Sequence, residues 1–139
     1  MVYWDTSAVL SSLFTDDHSL LAQYRANRDG FHFLSTMAYA ETCAVIAGML
    51  RERRIAKIAA EVAMEAFHEG PWRRVNAQPA WIHIDALPKK WVLRGADLWH
   101  LTLAKSLRDH TPELMLLTFD ERLKVSAQGE GLAETKGVS

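Results

Sequence analysis

Three short apolar runs punctuate this chain, and each gives way at once to a helical pattern. Residues 1–5 end at Asp5 and lead into Thr6-Ser7-Ala8. Phe31-His32-Phe33-Leu34-Ser35 follows the turn pair Asp29-Gly30, and the run from Glu113 to Phe119 follows Thr111-Pro112. Between them, helical stretches fall at 6–14, 16–28, 37–51, 54–69, 95–109 and 120–128, the fourth closed by Gly70-Pro71. Short apolar strands alternating with helices favour an α/β domain with a mainly parallel sheet, because each parallel strand needs a crossover element before the next.

Residues 71–94 are ambiguous. Trp72 to Asn76 reads as a third strand, with a helix after Pro79 carrying a stripe of Trp81, Ile84 and Leu87; the alternative is a strand at Ile82-His83-Ile84. The first reading is adopted. From Gly129 the chain holds three glycines and ends Lys136-Gly137-Val138-Ser139, so residues 129–139 are expected to form a peripheral or poorly structured tail with little core. With 139 residues, 49% of them hydrophobic, the chain can build one sizeable core, and a single domain over 1–139 is expected.

The balance of charge narrows the classes of function. Sixteen Lys and Arg against seventeen Asp and Glu leave a formal net charge of -1, so nucleic-acid binding must come from a local patch. The single cysteine, Cys43, excludes an intramolecular disulfide and multi-cysteine zinc sites, and reads as a core residue. No apolar run approaches the roughly 18 residues of a membrane span, and no leader pattern opens the chain. A soluble, cytoplasmic protein is expected.

Four acids stand at the expected starts of helices or within them: Asp5, Glu41, Asp97 and Asp120. In an open parallel sheet, ligands gather beyond the carboxyl ends of the strands, where connections diverge. Asp5 and Asp120 follow two such ends and should lie close together. Helix 37–51 is almost wholly apolar and should be buried on most of its surface; Glu41 is its one carboxylate, which is costly there unless the charge is paired or metal-bound. Each acid also has a plainer reading. Asp5 and Asp120 suit helix N-caps, Glu41 an ion pair with an arginine, and Asp97 a first-turn partner of the helix dipole. Taken together, the four are less easily explained by capping than by an all-oxygen site for a divalent cation such as Mg²⁺ or Mn²⁺. Asp16, Asp17, Asp85 and Glu113 read as ordinary helix or loop acids.

The motifs carrying these acids resemble those of PIN-domain ribonucleases, and within them the VapC toxins of bacterial and archaeal toxin–antitoxin pairs. The resemblance runs through Tyr3-Trp4-Asp5-Thr6-Ser7-Ala8, Ser35 to Glu41, Leu93-Arg94-Gly95-Ala96-Asp97-Leu98-Trp99-His100-Leu101 and Leu117-Thr118-Phe119-Asp120-Glu121-Arg122-Leu123. It implies a three-layer α/β/α PIN-like fold, a Mg²⁺ or Mn²⁺ site and hydrolysis of RNA to 5′-phosphate and 3′-hydroxyl ends. Asp5 and Asp97 would be primary ligands, with Glu41 and Asp120 completing the site directly or through water. Thr6, Ser7 and Thr118 match the hydroxyl positions that orient the cluster. The resemblance further implies a structured tRNA or ribosomal RNA target, a homodimer, and a cognate antitoxin whose C-terminal segment lies in the acidic groove. Residues 70–94 depart from the usual pattern. A PIN nuclease working without an antitoxin, and a non-catalytic RNA-binding or protein-interaction module, are the alternatives.

Among the basic residues, Arg94 is the first candidate for an RNA phosphate, followed by Arg122 and Lys124; the groups at 51–57, 73–74 and 89–90 suit solvated faces equally well. His100, three residues after Asp97, permits an Asp-x-x-His metal pair, but a packing or hydrogen-bonding role is favoured. Trp72, Trp81 and Trp91 suit base stacking or an interface. Leu50, Ile55, Ile58, Val62, Met64 and Phe67 exceed what one sheet face needs and suit a homodimer or an antitoxin helix.

Overall fold

The computed structural model describes residues 1–133, and its sheet holds four strands in the order β3-β2-β1-β4: β1 Val2–Trp4, β2 His32–Ser35, β3 Trp72–Val75 and β4 Met115–Leu117. Every pairing is parallel, with Val2 opposite His32 and Met115, and His32 opposite Trp72. Strand β1 is followed by α1 (Thr6–Leu13) and α2 (Ser19–Ala26), β2 by α3 (Thr36–Arg51) and α4 (Lys57–Glu69). After β3 come α5 (Trp81–Ala86), a 3-10 turn at Leu87–Lys89 and α6 (Gly95–Arg108), and after β4 comes α7 (Glu121–Gly129). The ambiguous region therefore resolves as strand then helix.

Strand alternation divides the core. Val2, Trp4 and Leu34 face a layer supplied by Ala8, Val9, Ala22, Ala38 and Phe67 from α1 to α4. Tyr3, Phe33 and Leu116 face the opposite way, onto Leu101, Leu103, Leu123 and Ala127 of α6 and α7. The result is the expected three-layer α/β/α sandwich. The chain steps from β1 through β2 to β3 in one direction, then crosses back so that β4 pairs with the other edge of β1. The carboxyl ends of β1 and β4 thus flank the point where the connections diverge, the usual ligand position in such a sheet.

The strand ends double as helix starts. Asp5 accepts a hydrogen bond from the Ala8 N–H, Ser35 from Ala38 and Asp120 from Leu123, each satisfying a donor that the first turn of its helix leaves unpaired. The plainer capping readings of Asp5 and Asp120 are thus observed.

Two expectations are corrected. Helix α3, expected to be buried over most of its surface, buries only the stripe Ala38, Thr42 and Ile46, while Val45 and Leu50 are exposed. An all-apolar stretch carries no periodicity to show which face is inward, and α4 covers just one side of it. The apolar faces of α3 and α4 frame a groove of about 360 Å³ lined by Cys43, Ile46, Ala47, Leu50, Ala60 and Met64. Ile58 and Val62 are exposed beside it, whereas Phe67 is buried in the core.

The second correction concerns the segment after α7. Gly131, at φ 74°, turns the chain back so that its N–H donates to the Gln128 carbonyl and the Leu132 N–H donates to Ala127. This is a Schellman C-cap, with Leu132 packed on Ala127 as such caps require. Leu132 is fully buried, and its carbonyl accepts from the Leu116 N–H of β4. Core therefore continues past Gly129; residues 134–139, the rest of the expected tail, lie outside the described residues.

The end of α7 is anchored by Glu130. Its carboxylate accepts from Lys105 at 2.9 Å and from the Trp91 indole at 3.0 Å, with Lys90 at 3.6 Å. Burial opposes its charge, but these donors and ammonium groups outweigh that and hold the carboxyl below the usual glutamate range. The stabilisation is then present above the unfolded-state value and is lost as pH falls through the lower folded value. Glu130→Gln is expected to lower the urea midpoint at neutral pH, with the difference from wild type shrinking as pH falls below the ordinary glutamate value of 4.5. A difference that did not shrink at all on acidification would show that the charge is not what holds this end.

Of the other tryptophans, Trp72 packs edge-on against Trp4, while Trp81 is exposed. No helix among the described residues is long and apolar enough to cross a membrane.

Candidate active site

Asp5 leaves the end of β1 and is almost wholly buried. Its Oδ1 accepts from the Ser7 hydroxyl at 2.7 Å and from the Ala8 N–H at 2.9 Å, and its Oδ2 accepts from the Thr118 hydroxyl at 2.5 Å. A carboxylate offers about four lone pairs, so one on Oδ2 is left over. Burial pushes the Asp5 carboxyl above the usual range despite these three donors. Ser7 also accepts the Phe119 N–H, and Thr118 the Asp120 N–H, so the two hydroxyls tie the β4 end to the start of α1.

Glu41 lies one and a half turns into α3. Its Oε1 accepts from the Thr6 hydroxyl at 2.8 Å and meets His100 Nε2 at 2.8 Å. The histidine contact, with the Thr6 bond, lowers its carboxyl despite partial burial, so Glu41 is ionised and Nε2 must be the donor. The plainer reading of Glu41 as an arginine ion pair is not what is seen: a histidine takes that place. Beyond the ring, the Tyr3 hydroxyl lies 2.6 Å from His100 Nδ1 and 3.0 Å from Ser35 Oγ.

Asp97 stands in the first turn of α6 and Asp120 at the N-cap of α7. Burial raises the Asp97 carboxyl, and the charges of Asp120 and Glu41 raise it further, against weaker opposing pulls from His100 and Arg94. None of these influences on Asp97 is a hydrogen bond. The four acids therefore converge on the carboxyl edge of the sheet, and three of them are close enough to repel. Arg94 acts on this cluster, while no ion pair joins Arg122 or Lys124 to the acids among the described residues. Arg122 instead lines a groove of about 480 Å³ with Trp91, Val92 and Val125. Arg73 and Arg74 lie over the Phe31 and Tyr39 rings.

As a donor set, four carboxylates with flanking hydroxyls suit a hard divalent cation, and the raised Asp97 is the tension such a cation would relieve. The spacing is looser than a closed coordination sphere: among the described residues, no three His, Cys, Asp or Glu side chains converge tightly enough to hold a metal ion.

His100 was legible in the sequence as a hydrogen-bonding histidine, but its partners were not, because Tyr3 and Glu41 come from two separate elements. His18 was missed entirely. Its ring stacks on Phe119, centroids 4.6 Å apart and planes within 6°, and so covers the residue between Thr118 and Asp120. The only sequence signal was an aromatic beside the Asp120 motif.

A three-layer sandwich with a parallel sheet and acids at its carboxyl edge is a PIN-like architecture. The chain shares that fold with the crystal structure of VapC20 from Mycobacterium tuberculosis, described as a sarcin-ricin loop cleaving toxin. The TM-score is 0.62 over 97% of this chain and 98% of that one, at 14% sequence identity. No protein-family model and no curated protein matches the sequence.

Proposed function

We propose that the protein is a metal-dependent endoribonuclease, and the toxin of a VapBC-like pair. The observation that carries this reading is the meeting of Asp97, a part-buried carboxylate at the carboxyl edge of the sheet, with the charges of Asp120 and Glu41, and with no hydrogen bond to it among the described residues. A fold maintained for stability alone gains nothing from that arrangement. A neighbour of the same fold, described as a sarcin-ricin loop cleaving toxin, supports the same conclusion.

Asp5, Glu41, Asp97 and Asp120 would hold Mg²⁺ or Mn²⁺, which when bound supplies Lewis-acid stabilisation of the charge developing on a phosphoryl group under attack. Thr118 and Ser7 hold the Asp5 carboxylate in one rotamer, and Thr6 does the same for Glu41. Arg94, exposed at the N-cap of α6 and felt by Asp97, would meet an RNA phosphate there. A structured tRNA or ribosomal RNA loop is the proposed substrate. The exposed apolar faces of α3 and α4 are the proposed surface for a homodimer or an antitoxin helix.

The test is cleavage of total RNA by purified protein with Mg²⁺ or Mn²⁺ and with EDTA, mapping the new 5′ ends. Discrete cuts bearing 5′-phosphates, abolished by chelation, are expected. One observation favours a second reading, a module that binds RNA or protein without cutting: no three ligating side chains converge among the described residues. Intact RNA binding with no cleavage under any metal would establish it. A PIN nuclease acting in RNA processing would show the same cuts but no neighbouring antitoxin gene.

A further inference from the structure

We infer that His100 is a positioning residue that fixes the Glu41 carboxylate and, through it, the spacing of the acidic centre. The inference rests on the nuclease reading of that centre. His100 is 2% exposed and has both ring nitrogens engaged, Nε2 with Glu41 and Nδ1 with Tyr3, so it has no lone pair to offer a metal. This disposes of the Asp-x-x-His metal pair that the sequence allowed.

Its connections explain what it does instead. Tyr3 lies two residues before Asp5 on β1, Ser35 caps the helix that carries Glu41, and His100 lies one helical turn after Asp97. The chain of contacts Ser35, Tyr3, His100, Glu41, Thr6 therefore joins β1, α1, α3 and α6 through one buried ring. Tyr3 and Ser35 are fully buried, so the ring cannot shift without breaking these contacts in a water-excluded setting. Thr6 and His100 both occupy Oε1 of Glu41. That leaves Oε2 free of both donors, on a carboxylate whose charge is felt at Asp97. A glutamate has three rotatable side-chain bonds, and two donors on one oxygen remove most of that freedom in advance of ligand binding. Groups that orient a metal-binding side chain in this way typically contribute about 10–100-fold to metal affinity.

The experiment is calorimetric titration of Mn²⁺ into the metal-stripped full-length chain, with thermal melts alongside, for wild type, His100→Phe, His100→Gln and Tyr3→Phe. Phe keeps a ring but has no donor; Gln places an N–H where Nε2 was. His100→Phe is expected to weaken Mn²⁺ binding about 10–100-fold, and His100→Gln to recover most of that loss. A residue needed only for packing would give the opposite order, because Phe fills the space better than Gln. Wild-type affinity in His100→Phe, or equal losses in Phe and Gln, would overturn the inference while leaving the nuclease reading standing. If the wild type itself shows no saturable Mn²⁺ binding, the nuclease reading fails and this inference falls with it. Should His100→Phe not fold, Tyr3→Phe carries the test. It removes only the hydroxyl at Nδ1; weaker Mn²⁺ binding supports the inference and unchanged affinity overturns it.

Discussion

Replacing Asp97 by Asn is expected to cut metal-dependent RNA cleavage by at least about 100-fold, the scale on which loss of one charge-stabilising group at a reacting centre acts, and at the same time to raise the melting temperature. The two effects share a cause. Burial, Asp120 and Glu41 all disfavour the charged form of Asp97, so its folded-state carboxyl titrates above the ordinary value of 3.8. A raised carboxyl destabilises the fold fully at pH above its folded value. That penalty fades as pH falls through the folded value and is gone below the unfolded one, where both states are protonated. A neutral isostere escapes it, so the melting temperature of Asp97→Asn should exceed that of wild type at pH 7 and converge with it on acidification. Exchange of stability for activity is common at sites that hold unfavourable charge. Unimpaired cleavage would remove Asp97 from the site; a lower melting temperature at pH 7 would show that its charge is not under strain.

The largest stability effect is expected at Trp4. Its side chain is fully buried, meets Trp72 edge-on at 5.5 Å and donates its indole N–H to His32 Nδ1 at 3.0 Å. His32 Nε2 in turn lies 2.9 Å from the Arg28 carbonyl, so the neutral ring with its proton on Nε2 satisfies both contacts. Trp4→Ala should cost about 3–5 kcal/mol in urea unfolding, the range for truncating a buried aromatic. Trp4→Phe should cost about 1–3 kcal/mol, largely for the unsatisfied His32 nitrogen. An alanine variant unfolding at the wild-type midpoint would mean that this layer is not close-packed.

Strand-to-helix boundaries were readable because two independent signals coincide there: a short apolar run ends, and a residue able to cap a helix follows it. That held at Asp5, Ser35 and Asp120. Where only one signal was present, the reading weakened. Trp72–Val75 is an edge strand whose Arg73 and Arg74 are exposed, so it lacks the continuous apolar character of the inner strands, and only the helical stripe of Trp81, Ile84 and Leu87 behind it favoured strand then helix. Helix α3 misled in the opposite sense, since composition without periodicity cannot separate an inward face from an outward one. At the C-terminus, glycine was read as loss of structure, whereas Gly131 is a helix stop that folds Leu132 back into the core. As for the candidate site, the four acids were visible as a group, but the histidine relay behind Glu41 was not. A histidine's partners depend on which elements pack together, and that is a property of the fold and not of local sequence.

The double duty of Asp5 and Asp120 bears on how such proteins would decay over evolutionary time. Each spends one oxygen capping a helix, so each carboxylate would be retained by selection for folding alone after any activity had lapsed. Glu41 is likewise held by Thr6 and His100, and only Asp97 has neither a capping role nor a hydrogen bond among the described residues to protect it. In a lineage of this fold that had abandoned the proposed chemistry, the other three acids should persist while Asp97 drifts. That position, and not the conspicuous aspartates at the strand ends, is where a working descendant would be told from a relic.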